Sequence, residues 1–429
     1  MLAEIRSKGT DKLRVLCYHD AIVWSLNINF IRPYMQDEQW IANILEDLRG
    51  RDLGRKLRLM PQSGAWIDVN GRRLINLAQN DYLNLAHRPS VIEAARRALS
   101  ETNSTSSSAS RLVTGTLRWH SELEERLAAF LGYPRAIVYG SGYLANLGVI
   151  TALVHRNDVV VADKHVHASL IDGISLSGAK LLRFLHNDIS HLARVLVKAR
   201  DIAGSGGKVL LVTESVFSMD GDVAPLVEMS RLAEKFGAIF VVDEAHAIGV
   251  FGENGRGLVN QLELQGKVDI CTGSFCKSLG SYGGFVAGSR LVAELLINVS
   301  RPFIFNTSLP PAVVAASSEA ISVLEREPHL GAELLAIADS FRGVLHDGGL
   351  DTGSSCSQIV PLIVGENCAA MSLSRILEDE GVFAVAIREP TVPRGTARLR
   401  FSLSLAYHQQ KISAVADVVL KCARRANIT

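Results

Sequence analysis

Lys277 sits in the stretch Thr272-Gly273-Ser274-Phe275-Cys276-Lys277-Ser278-Leu279-Gly280, just after the mostly apolar run Val268 to Cys271. A second apolar run, Ala238 to Val242, ends in Asp243-Glu244-Ala245-His246. Alone, a lysine is usually a solvated surface charge, and an acid after a strand is often a helix N-cap. A lysine and an aspartate that both follow buried strands are what pyridoxal 5'-phosphate (PLP) requires. The amine holds the aldehyde as a Schiff base, and the carboxylate keeps the pyridine nitrogen protonated so that the ring acts as an electron sink.

The neighbouring residues suit the same chemistry. Ser274 can donate to a phosphate, and Gly280, Gly283 and Gly284 permit close backbone approach. His246 is placed to hydrogen-bond a phenolic oxygen, and Ser218, after the run Val209 to Val212, is placed to do the same. His167 follows another apolar run and can stack on a pyridine face; His165 competes for that role. In Tyr139-Gly140-Ser141-Gly142-Tyr143-Leu144-Ala145-Asn146, a small-residue loop runs into a helix whose first amides suit a phosphate, with Tyr143 at the cofactor edge. Arg398 and Arg400 share one face of an alternating segment. A guanidinium is the natural clamp for a carboxylate, and periodicity does not choose between the two.

These residues need a frame. Short apolar strands at Val159 to Ala162, Val209 to Val212, Ile239 to Val242 and Phe285 to Ala287 alternate with helices. One helix covers His120 to Leu131 and stops at Gly132; another opens at Pro225 and stops at Gly237. That alternation predicts an α/β fold with a mostly parallel sheet covered on both faces and a ligand beyond the carboxyl ends of its strands. After the Pro-containing stretch Arg301 to Pro311, the pattern predicts a smaller α+β C-terminal domain. Its elements are Ile359 to Val364, Ala369 to Glu380, Phe383 to Ile387, Ala397 to Ser404 and a last helix from about 410. The expected division is 1–80 (extension and helical/β segment), 81–315 (large domain) and 316–429. A helix opening at Met35 to Trp40 carries Ile41, Ile44, Leu45 and Leu48 on one face. Residues 1–34 show no clear period; they form either a structured extension or an upstream start, with translation beginning at Met35.

The 429 residues carry 45 basic and 44 acidic side chains, a net charge of +1, which gives no reason to expect nucleic acid or an anionic membrane as partner. No apolar run approaches the roughly 20 residues of a membrane span, and Val23 to Ile28 does not make a signal peptide. The six cysteines are scattered, without metal-like spacing, so no metal site is expected and a cytoplasmic protein fits.

Taken together, these segments resemble the α-oxoamine synthases, PLP enzymes of the aspartate-aminotransferase-like fold (fold type I). The resemblance runs from about residue 36 to the C-terminus through Asn80-Asp81-Tyr82-Leu83, Ala109 to Gly115, the Ser141 loop, His167-Ala168-Ser169, Ser218 to Asp222, Asp243 to His246 and the Lys277 segment. It implies a decarboxylative condensation of an amino acid with an acyl thioester. It assigns Lys277 to the Schiff base, His167 to stacking, Asp243 to the pyridine nitrogen, Ser218 and His246 to the phenolic oxygen, and Ser274 to the phosphate. It also selects Arg400 as the carboxylate clamp, with Asn80 beside the substrate. The stretches Arg183 to Asp188 and Ile387 to Arg400 point to L-alanine and a pimeloyl thioester, of CoA or of acyl carrier protein. Members using glycine or making longer chains, and catalytically silent partner subunits, are the rival readings. Members are homodimers with the site at the interface, so Thr307 would reach the partner's phosphate, and Arg51 or Arg55 would meet the distal acyl carboxylate. Members usually have glycine where this chain has Cys276, Asn84 and Ser106 to Ser108, and a typical member has no counterpart of residues 1–34.

Overall fold

The apolar runs before Asp243 and Lys277 are inner strands of a seven-stranded sheet in the computed structural model, which describes residues 38–407 and 409–428. The strands are β1 (Arg135–Tyr139), β2 (Val159–Asp163), β3 (Lys180–Phe184), β4 (Val209–Glu214), β5 (Ile239–Asp243), β6 (Ile270–Ser274) and β7 (Gly284–Gly288). Their spatial order is β1-β7-β6-β5-β4-β2-β3, and only β7 runs against its neighbours. The continuous apolar character of the inner strands follows from burial on both faces. Val159, Val161, Leu211, Phe240 and Val242 pack into one core, and Val160, Ala162, Leu210, Val212 and Val241 into the other. Each fully buried Val or Leu there contributes roughly 1.5–3 kcal/mol of transfer free energy.

The helix ends obey the local signals. Arg118–Leu131 stops at Gly132 with φ +75°, and Leu226–Phe236 lies between Pro225 and Gly237, with φ +56°. Strand β6 begins two residues later than the apolar run and extends to Ser274, because its pairing with β7 carries the ladder on to Ser274 opposite Gly284. Strand β3 reads poorly from sequence because it lies at the sheet edge and exposes Lys180 and Arg183.

The C-terminal part has a three-stranded antiparallel sheet, β8 (Ile359–Gly365), β9 (Val385–Ile387) and β10 (Ala397–Ser402), with β10 central. The expected single strand Phe383 to Ile387 is two. Val382–Phe383 pairs in parallel with Ile75 and Asn76 of the strand Arg72–Asn76, and only Val385–Ile387 joins β10. Helices Leu330–Asp347, Asn367–Asp379 and Gln409–Arg425 complete this part.

Among the described residues, 38–55 belong to a unit of their own. Within it, helix Gln39–Gly50 exposes Trp40, Ile44 and Leu45, and Arg51 pairs with Asp47 at 3.3 Å. The expectations for residues 1–34 and for a start at Met35 lie outside the described residues. No described helix is long and apolar enough to cross a membrane.

Candidate active site

Three residues line up towards the carboxyl edge of the sheet: Glu214, the last residue of β4, stands opposite Asp243, the last of β5, which stands opposite Thr272 within β6. Asp243 is buried, and both its oxygens accept hydrogen bonds, from the Ala245 amide at 2.9 Å and from Asn146 Nδ2 at 2.7 Å. Asn146 is itself fixed: its Oδ1 accepts from Thr272 Oγ1 at 2.7 Å, and its Nδ2 also lies 2.9 Å from Ser169 Oγ. Ser169 Oγ in turn sits 2.8 Å from His167 Nδ1. One hydrogen-bonded chain therefore joins His167 to Asp243.

Lys277 follows β6, and its ammonium reaches the interior. Burial lowers its pKa from the ordinary lysine value, while Asp243 and Glu214 pull the other way. Among the described residues no carboxylate lies within 4.0 Å of it. His167 is exposed at the residue level, yet desolvation, with Lys277 adding and Asp243 opposing, lowers its pKa. Tyr143, exposed, meets that ring edge-on at 6.3 Å and bonds Asp172 through its hydroxyl. His165 instead stacks on His186 at 4.1 Å and faces Asp220.

Ser141 caps helix Gly142–Leu153, its Oγ accepting from the Leu144 amide at 3.1 Å; the Gly142 and Tyr143 amides ahead of it are the ones left for an anion. The loop is bedded on β6 and β7. A Cβ at Gly142 would lie 3.1 Å from Ser274 Cβ, and one at Gly284 would lie 2.3 Å from the Gly142 nitrogen. Ser274 is buried; its Oγ accepts from the Cys276 amide at 3.1 Å and lies 3.2 Å from the Gly283 carbonyl.

The two arginines of β10 are both buried, and their partners distinguish them. Arg398 pairs with Asp220. Arg400 has neutral partners: the Ser218 carbonyl at 2.6 Å, Ser402 Oγ at 2.6 Å, and Asn80 Oδ1 and Tyr82 Oη, each at 3.2 Å. Among the described residues it has no carboxylate within 4.0 Å. His246 is buried, its Nδ1 lies 2.7 Å from Tyr82 Oη, and burial, with Lys277 and Arg400 adding, holds it well below the usual imidazole pKa.

Thus Lys277, Asp243, His167, Ser141, Gly142, Tyr143, Ser274, His246, Ser218, Arg400 and Asn80 all belong to this end of the sheet. Thr307 is exposed and bridges Ser110, and Arg55 is exposed in the first unit. Sequence reasoning passes over Tyr82, Asn146 and Glu214. Glu214 is buried with Oε1 unpartnered, and burial, with Asp243 adding, pushes its carboxyl well above the ordinary range. The site fits PLP: a cradle closed to side chains at Gly142 and Gly284, a lysine with no ion-pair partner, and an aspartate fixed as an acceptor.

The chain belongs to the aminotransferase class I and II family, whose model matches residues 72–419. It is 44% identical to 8-amino-7-oxononanoate synthase of Geobacter sulfurreducens over 391 residues, covering 90% of this chain and 99% of that protein. It is 42% identical to the Geotalea daltonii protein of the same name, covering 91% and 99%. Among solved structures, it is similar to a serine palmitoyltransferase variant from S. paucimobilis, solved with a bound PLP–myriocin aldimine (TM-score 0.85, 31% identity, 91% of this chain and 98% of that one). It is also similar to 8-amino-7-oxononanoate synthase from Francisella tularensis (TM-score 0.70, 29% identity, 83% and 99%).

Proposed function

We propose that this PLP-dependent acyltransferase condenses L-alanine with a pimeloyl thioester to give 8-amino-7-oxononanoate, carbon dioxide and free thiol, a step of biotin biosynthesis. The observation that carries the reading is Arg400, a buried guanidinium with only neutral partners, near enough to Lys277 for its charge to lower the lysine's pKa. A buried cation without a counter-ion is costly unless a ligand supplies one, and an amino-acid carboxylate does. The curated relatives share the chemistry in their name over almost their whole length.

PLP, when bound, supplies the electron sink that stabilises a carbanion at the amino acid's α-carbon. Lys277 would hold the cofactor and, once released, accept the α-proton at Nζ; its lowered pKa suits a base. Asp243, oriented by Asn146, would face the pyridine nitrogen, and His167 the ring. Ser218 and His246 would hold the phenolic oxygen. Ser141, Gly142 and Ser274 would hold the phosphate, with Tyr143 at the cofactor edge. Arg400 and Asn80 would fix the carboxylate. A bond forms between the alanine α-carbon and the thioester carbonyl carbon, and the thiol departs. The carboxylate then leaves as carbon dioxide, and a proton returns to the α-carbon.

The chain is further proposed to work in the cytoplasm as a homodimer, with Thr307 reaching the partner's phosphate site and Arg55 or Arg51 meeting the distal carboxylate of the acyl chain. Incubating PLP-loaded protein with alanine, glycine or serine and a panel of acyl-CoAs, and measuring thiol release, tests the substrate pair. Release is expected with alanine and pimeloyl-CoA. Release with glycine and acetyl-CoA, and none with that pair, would overturn the reading.

A further inference from the structure

Next to the cofactor-facing loops, an imidazole stands between two carboxylates. His186, just after β3, has Nδ1 2.9 Å from Asp163 Oδ1 and Nε2 2.8 Å from Asp222 Oδ2. Asp163 is fully buried at the end of β2, and Asp222 is buried in the loop after β4. Carboxylate oxygens accept hydrogen bonds, so a ring with a carboxylate at each nitrogen is satisfied only when both nitrogens carry protons.

The connections around His186 are extensive. Asp163 also accepts from the amides of His165 and Asn187, at 2.8 and 3.0 Å. Asn187 Nδ2 donates to Asp222 Oδ2 at 2.9 Å. His165 stacks on the imidazole, and Phe217 meets it edge-on at 4.4 Å. The turn leading to His167 and the loop carrying Ser218 therefore converge on one side chain. The Ser218 loop is tied at its other end by Arg398 to Asp220 and by Arg400 Nε to the Ser218 carbonyl.

We propose that His186 is a positioning residue, a charged clamp between Asp163 and Asp222 that holds the Ser218 loop where its carbonyl orients Arg400. It thereby sets the enzyme's grip on the amino-acid carboxylate. The proposal rests on reading Arg400 as the carboxylate site. The electrostatics agree: burial opposes the charge, yet the hydrogen bonds and charges of Asp163 and Asp222 push His186 up to about 10. The groups facing it are those two carboxylates and His165, with Asp220 and Arg398 one step further out.

A merely structural role would lower stability and leave amino-acid affinity unchanged at equal cofactor occupancy. The test is an absorbance titration of PLP-loaded His186→Gln and wild type with L-alanine, together with steady-state kinetics. The dissociation constant and KM are expected to rise about tenfold while kcat changes less, because a displaced clamp misorients the guanidinium. A dissociation constant within about twofold of wild type, the fold-change of a negligible coupling, would overturn the proposal. If His186→Gln does not accumulate, Asp222→Asn decides: a weaker rise in the same direction supports the clamp, and no rise overturns it. If the wild type answers to glycine or serine instead of alanine, the ratio is read with that amino acid, and only the substrate assignment falls.

Discussion

Tyr82 Oη lies 2.7 Å from His246 Nδ1, and Arg400 Nη2 donates to the same oxygen at 3.2 Å. With the guanidinium donating to it, the phenol gives its own proton to its nearest acceptor, His246, which leaves the imidazole proton on Nε2. One phenol thus joins the carboxylate clamp to the residue proposed to hold the cofactor's phenolic oxygen. Tyr82→Phe should raise KM for the amino acid about tenfold, in keeping with the worth of a hydrogen bond to a charged group. Steady-state thiol release reads it; an unchanged KM would remove Tyr82 from the clamp.

The two arginines of β10 should separate. Arg400→Ala removes the guanidinium that lacks a carboxylate partner and should raise KM for alanine by about 10²-fold or more, as for a lost charge-assisted bidentate contact. Arg398→Ala breaks the pair with Asp220 and should act mainly on stability. Kinetics and urea unfolding on both variants check this. Equal effects on KM would mean that periodicity, which puts both on one face, was the whole story.

Glu214 and Asp243 are adjacent acids with different expected roles. Glu214 has one oxygen orphaned and its pKa pushed well up by burial, which favours the neutral acid, so Glu214→Gln is expected to change little. The variant should keep kcat within about threefold, whereas Asp243→Asn should lose roughly 10²-fold or more of kcat. Paired kcat measurements at neutral pH decide it. A Glu214→Gln loss as large as that of Asp243→Asn would make Glu214 an ionised participant.

The Asp220–Arg398 pair carries a pH signature. Burial raises the Asp220 pKa, but His165 and Arg398 outweigh it and lower the carboxyl to about 2, below its unfolded value near 3.8. Its folded pKa is depressed, so its stabilisation is full above about pH 4 and is lost as pH falls through about 2. Asp220→Asn should cost about 3 kcal/mol at pH 7, because Arg398 is left buried and unpaired. The gap to wild type should narrow as pH drops from 4 towards 2. Urea unfolding across that range measures it; a gap independent of pH would contradict the assignment.

Much of this site is legible in the sequence because Lys277, Asp243 and His246 directly follow apolar strands, and the sheet puts such residues at one edge. Tyr82 and Asn146 are not, because they act through partners 164 and 97 residues away, His246 and Asp243. The choice between Arg398 and Arg400 is invisible to periodicity, since both point inward; only Asp220 separates them. Asn84, where relatives of this type usually carry glycine, has φ +57°, a left-handed conformation that asparagine tolerates better than most residues. The fold class follows from strand and helix alternation. The split of Phe383 to Ile387 into two strands does not, because it depends on which sheet each half meets.

The central claim is that Lys277 takes the α-proton of alanine while Arg400 holds its carboxylate. Proton NMR of L-alanine in deuterated water with PLP-loaded protein tests it most directly. Wild type should exchange the α-hydrogen without any acyl donor, and Lys277→Ala, with PLP supplied, should exchange it slower by about 10²–10⁴-fold, the usual worth of a general base. Exchange by Lys277→Ala at the wild-type rate would contradict the account.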